Sequence, residues 1–175
     1  MKVSVLVSAL AALTLLFQSG IGRAGEGPGD PTAATSDDGK YFTKDGDPTF
    51  RVKDDGTVDW YTYSGFRRYN SECIVCHGPN GDGSSFAPVL KESVQRLSYA
   101  DFLGTVASGR KNVTTANQNV MPTFGDNRNV MCYIDDIYIY LRARGAGKVG
   151  EGRPEKHDDR PDTFARNEAA CMGGT

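Results

Sequence analysis

Cys73-Ile74-Val75-Cys76-His77 constrains this chain more than any other stretch, because C-x-x-C-H brings together three groups that one flat cofactor can engage at once. Two thiols separated by two residues reach one edge of the same haem and add across its vinyl groups, and the imidazole that follows is placed to reach the iron. A C-x-x-C also occurs in redox dithiols and as half of a zinc site. Zinc would need further donors, yet there is no second C-x-x-C, and His157 is the only other histidine. A dithiol would leave His77 and the downstream Met121-Pro122 without a task. The motif therefore predicts one covalently bound haem c and a fold that makes room for it.

Residues 1–24 read as a secretory signal peptide. They hold no acidic residue, Lys2 stands near the start, Val3 to Phe17 is apolar, and Gly22 and Ala24 frame a cleavage site. The apolar run is shorter than the roughly 20 residues a spanning helix needs, and the leader has no cysteine to carry a lipid. The expectation is a soluble exported chain without a membrane anchor, starting near Gly25, in a compartment that permits haem attachment and disulfides. The whole chain has 20 basic and 22 acidic residues, a formal charge of −2. Loss of Lys2 and Arg23 with the leader would leave −4. Such a balance argues against nucleic acid or an anionic membrane as partner and allows steering toward a basic patch on another protein. About 150 remaining residues suit one domain with a large cofactor inside it.

Residues 25–58 form an N-terminal extension rich in Gly, Asp, Pro and Thr, with its first dozen residues expected to be disordered. Thr49 to Val52 and Thr57 to Val58 flank Lys53-Asp54-Asp55-Gly56 as a short hairpin. Those acidic residues lack EF-hand spacing, so a solvated turn is the reading over a calcium loop. From Trp60 onward a helical pattern sets in, with Gly65, Tyr69 and Cys73 recurring every four residues on one face. Ser98 to Arg110 reads as a second helix, with Ser98 and Asp101 as its cap, Phe102, Leu103 and Val106 as its stripe and Gly109 as its stop. Met131 to Arg144 reads as a third, with Ile137, Tyr140 and Leu141 on one face; its acidic start and Arg-rich end suit the helix dipole better than a strand would.

Haem iron needs a sixth ligand or an open position. Met121 is the candidate, because Pro122 pushes it into extended chain, so that a loop and not a helix face carries the thioether. Met131 beside Cys132 and Met172 in a Gly-rich tail are weaker candidates, and His157 reads as a solvated tail residue. A thioether opposite an imidazole favours reduced iron and closes it to oxygen, which points to electron transfer over oxygen chemistry. Cys132 and Cys171 remain after the haem thiols are assigned, and in an exported chain they read as a disulfide pinning the tail, residues 145–175.

The layout G-x-x-x-aromatic-x-x-x-C-x-x-C-H, from Gly65 through Tyr69 to His77, resembles the N-terminal helix of class I cytochromes c. The resemblance implies an all-α class I cytochrome c fold over residues 59–144, its last helix crossing the first at Gly65, with Tyr140 and Leu141 meeting Gly65 and Tyr69. It also implies that the Pro88 carbonyl in Ala87-Pro88-Val89-Leu90 holds the Nδ1 proton of His77, that Leu90 packs on the porphyrin face, and that Met121 is the second axial ligand. Arg110 and Lys111 could pair with haem propionates. Val58-Asp59-Trp60, Arg67-Arg68-Tyr69, Gly109-Arg110-Lys111-Asn112 and Val130-Met131-Cys132-Tyr133, with the four cysteines, resemble more narrowly the cytochrome cL type of methylotrophic bacteria, from about Tyr41 onward. That resemblance implies a periplasmic carrier taking single electrons from a methanol dehydrogenase that contains pyrroloquinoline quinone with calcium or a lanthanide, and passing them to an oxidase-linked cytochrome c. A haem enzyme or gas sensor with an open sixth position, and a carrier for a different dehydrogenase or oxidase, are the other readings.

Overall fold

A computed structural model describes residues 27–113 and 118–173. The leader of residues 1–24 lies outside them. Among the described residues no helix is long and apolar enough to cross a membrane.

Helices dominate. In order they are α1 (Trp60–Glu72), α2 (Ile74–His77), α3 (Leu90–Ser93), α4 (Tyr99–Ser108), α5 (Arg128–Met131), α6 (Ile134–Gly145) and α7 (Asp162–Met172). Strands β1 (Thr35–Asp37), β2 (Lys40–Phe42) and β3 (Pro48–Thr49) form one antiparallel sheet, and β4 (Arg110–Val113) pairs with β5 (Gln118–Met121). Thr35 and Ser36, placed in the segment expected to be disordered, pair with Phe42 and Tyr41. The turn that makes this possible is Asp38-Gly39, whose φ values of +41° and +77° suit a two-residue hairpin. The hairpin expected around Lys53-Asp54-Asp55-Gly56 narrows to one bridge between Val52 and Val58, while Thr49 pairs with Tyr41 instead.

The start of α1 is fixed by Asp59. Its carboxylate accepts from the Thr62 N–H at 2.8 Å, the Thr62 hydroxyl at 2.7 Å and the Arg51 N–H at 2.8 Å, tying the extension to the helix end. Ser98 caps α4 as expected, accepting from the Asp101 N–H at 3.1 Å, and Gly109 ends it, so Arg110 and Lys111 start a strand and not a further helical turn.

The expected third helix is two. A break at Cys132 and Tyr133 separates α5 from α6, and Met131 belongs to the short first piece. Nor is α6 amphipathic: every residue from Asp136 to Arg144 is buried, because other elements cover it on all sides. Its arginines serve as cross-ties between elements. Arg142 donates to the Val94 and Gly29 carbonyls, each at 3.1 Å, and Arg144 to those of Asn80 at 3.2 Å and Val149 at 2.6 Å. The crossing of α1 and α6 is as close as backbones allow, since a Cβ placed on Gly65 would lie 1.8 Å from the Asp136 carbonyl oxygen and 2.8 Å from the Tyr140 Cβ. Tyr140 also meets Tyr69, ring centroids 5.6 Å apart, while Leu141 reaches Gly81.

The tail returns over the other side of α1. Phe164 of α7 is buried against Trp60, Tyr61 and Tyr133, and a disulfide joins Cys132 to Cys171. His157, expected to be merely solvated, stacks on Tyr63 at 3.8 Å and bridges to Val58. The residue nonetheless remains exposed.

Candidate haem site

The first helix delivers the motif. The Cys73 N–H donates to the Tyr69 carbonyl at 2.9 Å, capping α1, and the chain then makes a single further turn in which the His77 N–H donates to the Cys73 carbonyl at 3.0 Å. Cys73 and His77 are therefore one turn apart on the same side, with Cys76 beside them. Gly78, at φ +71°, ends the turn and receives the Tyr69 hydroxyl on its carbonyl at 2.5 Å. Nothing in the sequence pattern pointed to that bond, which locks the aromatic of α1 onto the loop after the motif.

Cys73 and Cys76 are not bonded to each other. Burial, with the nearby Glu72 and Cys76 charges adding to it, pushes the Cys73 thiol up to about 12. A thiol so disfavoured as thiolate is a poor attacking group for disulfide exchange. His77 is buried, and its Nδ1 lies 3.1 Å from the Pro88 carbonyl oxygen. A carbonyl can only accept, so Nδ1 carries the proton and Nε2 keeps its lone pair. Burial lowers the imidazole pKa, with the Pro88 bond acting the other way, so the ring is held neutral as an iron ligand must be.

Residues 78–83 fold back beneath the histidine. The Gly83 N–H donates to the His77 carbonyl at 2.8 Å, and a Cβ on Gly78 would stand 2.3 Å from the Gly83 oxygen. That closeness is what the glycines are for. Leu90, at the start of α3, is half-buried, and with Cys73, Ile74, Leu103, Met121 and Phe124 it packs against the main core.

Met121 ends β5, in extended chain, with Arg110 as its strand partner. The Met-Pro segment is clamped to the end of α4: the Phe124 and Gly125 N–H groups donate to the Val106 and Ala107 carbonyls at 3.1 and 3.0 Å. Gly109, at φ +71°, lets the Met121 and Pro122 backbone sit against it, where a Cβ would approach to 2.6 Å. Phe124 was missed by sequence reasoning, although an aromatic two residues after Met121-Pro122 was a usable signal. Arg110 is exposed, as is Lys111. Val75 and Phe86 are 83% and 73% exposed, and the Phe86 N–H donates to the Ser84 hydroxyl, which itself donates to the Cys76 carbonyl.

These residues fit a covalent haem. Two thiols remain unbonded on one turn, a neutral imidazole offers Nε2, and half-buried apolar side chains stand ready to cover a macrocycle.

Comparison with known proteins agrees. The chain is 50% identical over 145 residues to cytochrome c-553I of Paracoccus denitrificans, covering 83% of this chain and 64% of that one. It is 40% identical over 100 residues to cytochrome c-555 of Methylococcus capsulatus, covering 57% of this chain and 75% of the relative. The crystal structure of the c-type cytochrome XoxG from Methylobacterium extorquens AM1 superposes with a TM-score of 0.75 at 54% identity, over 81% of this chain and 86% of the other. No family model matches. The chain thus spans just under two thirds of the length of the Paracoccus relative, and the c-type cytochrome fold with an N-terminal extension is established by the solved relative.

Proposed function

We propose that this chain, which belongs to the c-type cytochromes and among them to the cytochrome cL type of methylotrophic bacteria, accepts single electrons in the periplasm from a methanol dehydrogenase that uses pyrroloquinoline quinone. The observation that carries the reading is 54% identity across 81% of the chain with a c-type cytochrome of a methylotroph, coinciding with the one-turn placement of Cys73, Cys76 and His77. The protein is an electron carrier and not an enzyme. An oxidase-linked cytochrome c takes the electron onward.

Cys73 and Cys76 would hold haem c through their sulfurs, His77 Nε2 and Met121 would bind its iron, and the group would supply a centre that takes up and gives back one electron. The chain's own residues set the conditions for that exchange. The Pro88 carbonyl holds the Nδ1 proton, which fixes the ring orientation and raises the basicity of Nε2. The Met121 thioether, carried on a strand clamped to α4, favours the reduced state. Leu90, Leu103 and Phe124, half-buried against the main core, would offer apolar walls to the haem, and Arg110 stands within the same strand pair as Met121, available to a propionate. Val75, next to Cys76 in the chain, is exposed, and it would give the thioether edge an apolar neighbour suited to brief docking.

The test is stopped-flow reduction of the ferric protein by purified methanol dehydrogenases of the calcium and lanthanide kinds across a range of ionic strength. Reduction whose rate changes with salt is expected. No reduction by either enzyme at any ionic strength rejects the named donor.

A further inference from the structure

Arginines gather where side chains of α7 reach α1, on residues that take no part in the haem site. A cavity of about 130 Å³ is lined there by Trp60, Arg67 and Arg68 from α1 and by Arg160, Phe164 and Glu168 from the tail. Three arginines and one glutamate are in its lining, Arg67 at the exposed side. That carboxylate is already engaged on both oxygens: Glu168 Oε1 accepts from Arg68 at 3.1 Å and from the Tyr133 hydroxyl at 2.5 Å, and Oε2 accepts from Arg160. Each guanidinium has five N–H donors, so the wall holds far more donors than Glu168 can satisfy. Among the described residues Arg67 has no carboxylate partner. The indole Nε1 of Trp60 is also buried with no acceptor among them.

The lining carries a surplus of two positive charges in a chain whose formal net charge is −2. Guanidinium forks match oxyanions in both geometry and charge, and their hydrogen bonds to an anion are about twice as strong as neutral ones. A surplus of fork donors around a small, partly enclosed space selects a compact anion over a larger ligand. We propose that the cavity between α1 and the C-terminal helix binds one small inorganic oxyanion, of the phosphate or sulfate class, through Arg67, Arg68 and Arg160. Because two of these residues belong to α1 and one to the tail, the bound anion fastens the tail to the first helix. This inference stands whether or not methanol dehydrogenase is the electron donor.

Trp60 is the only tryptophan, so the ferrous holoprotein gives a single indole N–H signal in a ¹⁵N-correlated NMR spectrum. That signal is followed while inorganic phosphate is added at an ionic strength held constant with sodium chloride. A saturable shift is expected, with a dissociation constant on the order of a millimolar. Arg67→Ala weakens it at least about fivefold, while Arg166→Ala, which removes the same charge from an exposed site on α7 outside the cavity, leaves it unaltered. Phosphate should also raise the midpoint of thermal unfolding in the wild type and in Arg166→Ala, by mass action, and by a smaller amount in Arg67→Ala. A shift that never saturates, or an Arg67→Ala protein that titrates like the wild type, overturns the proposal.

Discussion

Asp136 is a carboxylate placed where two helices touch. It is 4% exposed and receives the Ser64 hydroxyl at 2.6 Å. Burial pushes its pKa from 3.8 up to about 7; the Ser64 bond and Lys40 pull it down, and Asp135 and Asp59 push it up. The sign of the consequence follows from proton counting. Between pH 3.8 and about 7 the folded chain keeps a proton that the unfolded chain has released, so stability falls as pH rises through this window, then levels off. One proton accounts for up to about 1.4 kcal/mol per pH unit. Asp136→Asn keeps an acceptor for Ser64 and should flatten the pH dependence of urea unfolding between pH 5 and 7; parallel curves for the two proteins would refute this. At the other notable residue, Met121→Ala is expected to lower the reduction potential by on the order of 100 mV, within the ~0.8 V range that axial ligands span, and to admit carbon monoxide to the ferrous protein. An unchanged absorption spectrum would move the ligand role to Met131 or Met172. Residues of this kind were legible in unequal degree. Cys73, Cys76 and His77 are spelled out by a contiguous motif, whereas Asp136 looks in sequence like an ordinary acidic residue in a helix's first turn, because only tertiary packing decides that it is buried.

Among elements, the crossing of α1 and α6 governs the most. Gly65→Ala forces a methyl into the Asp136 backbone, which cannot yield as a side chain could, so a loss of about 3 kcal/mol or more is expected in chemical denaturation. A variant as stable as the wild type would mean that the helices can separate without penalty. The four-residue spacing put Gly65, Tyr69 and Cys73 on one face, and the resemblance to class I cytochromes c implied that the last helix crosses there, with Tyr140 on the other side. What periodicity could not supply was the character of α6. A helix covered on every side has no polar face, and its Arg142 and Arg144, which suit a helix dipole in sequence, are spent on carbonyls of other elements. The β1–β2 hairpin was written plainly in Asp38-Gly39, a pair able to take positive φ at both positions, yet its polar surroundings resembled a disordered segment. The tail depends on a covalent tie as well as on Phe164. Replacing both Cys132 and Cys171 by Ser should cost about 2–4 kcal/mol and expose residues near 150–161 to protease before the haem spectrum is lost. Simultaneous loss of both signals would show that tail and haem core unfold as one unit.

For the molecule as a whole, the extension, the helical core and the tail are interlaced more than a linear reading suggests. Asp59 is joined to Arg51 and Lys40 to Asp135, so the extension holds both α1 and α6, and Val58 is joined to His157 of the tail. Intact-mass measurement of the protein isolated from its native compartment should show loss of residues 1–24, a gain of one haem and two fewer hydrogens for the disulfide; retention of the leader or a second haem would contradict the maturation expected from the sequence. The order of the cysteines adds a demand on the making of the protein. A chain emerges N-terminus first, so Cys73, Cys76 and Cys132 are all present before Cys171, the proper mate of Cys132, has been synthesised. During that interval every disulfide that Cys132 could form is a wrong one. Attachment of haem to the first two thiols would remove both competitors permanently, and the late arrival of Cys171 would then leave a single pairing to be made. Without early attachment, a cell producing this protein must rely on an isomerase to undo the errors.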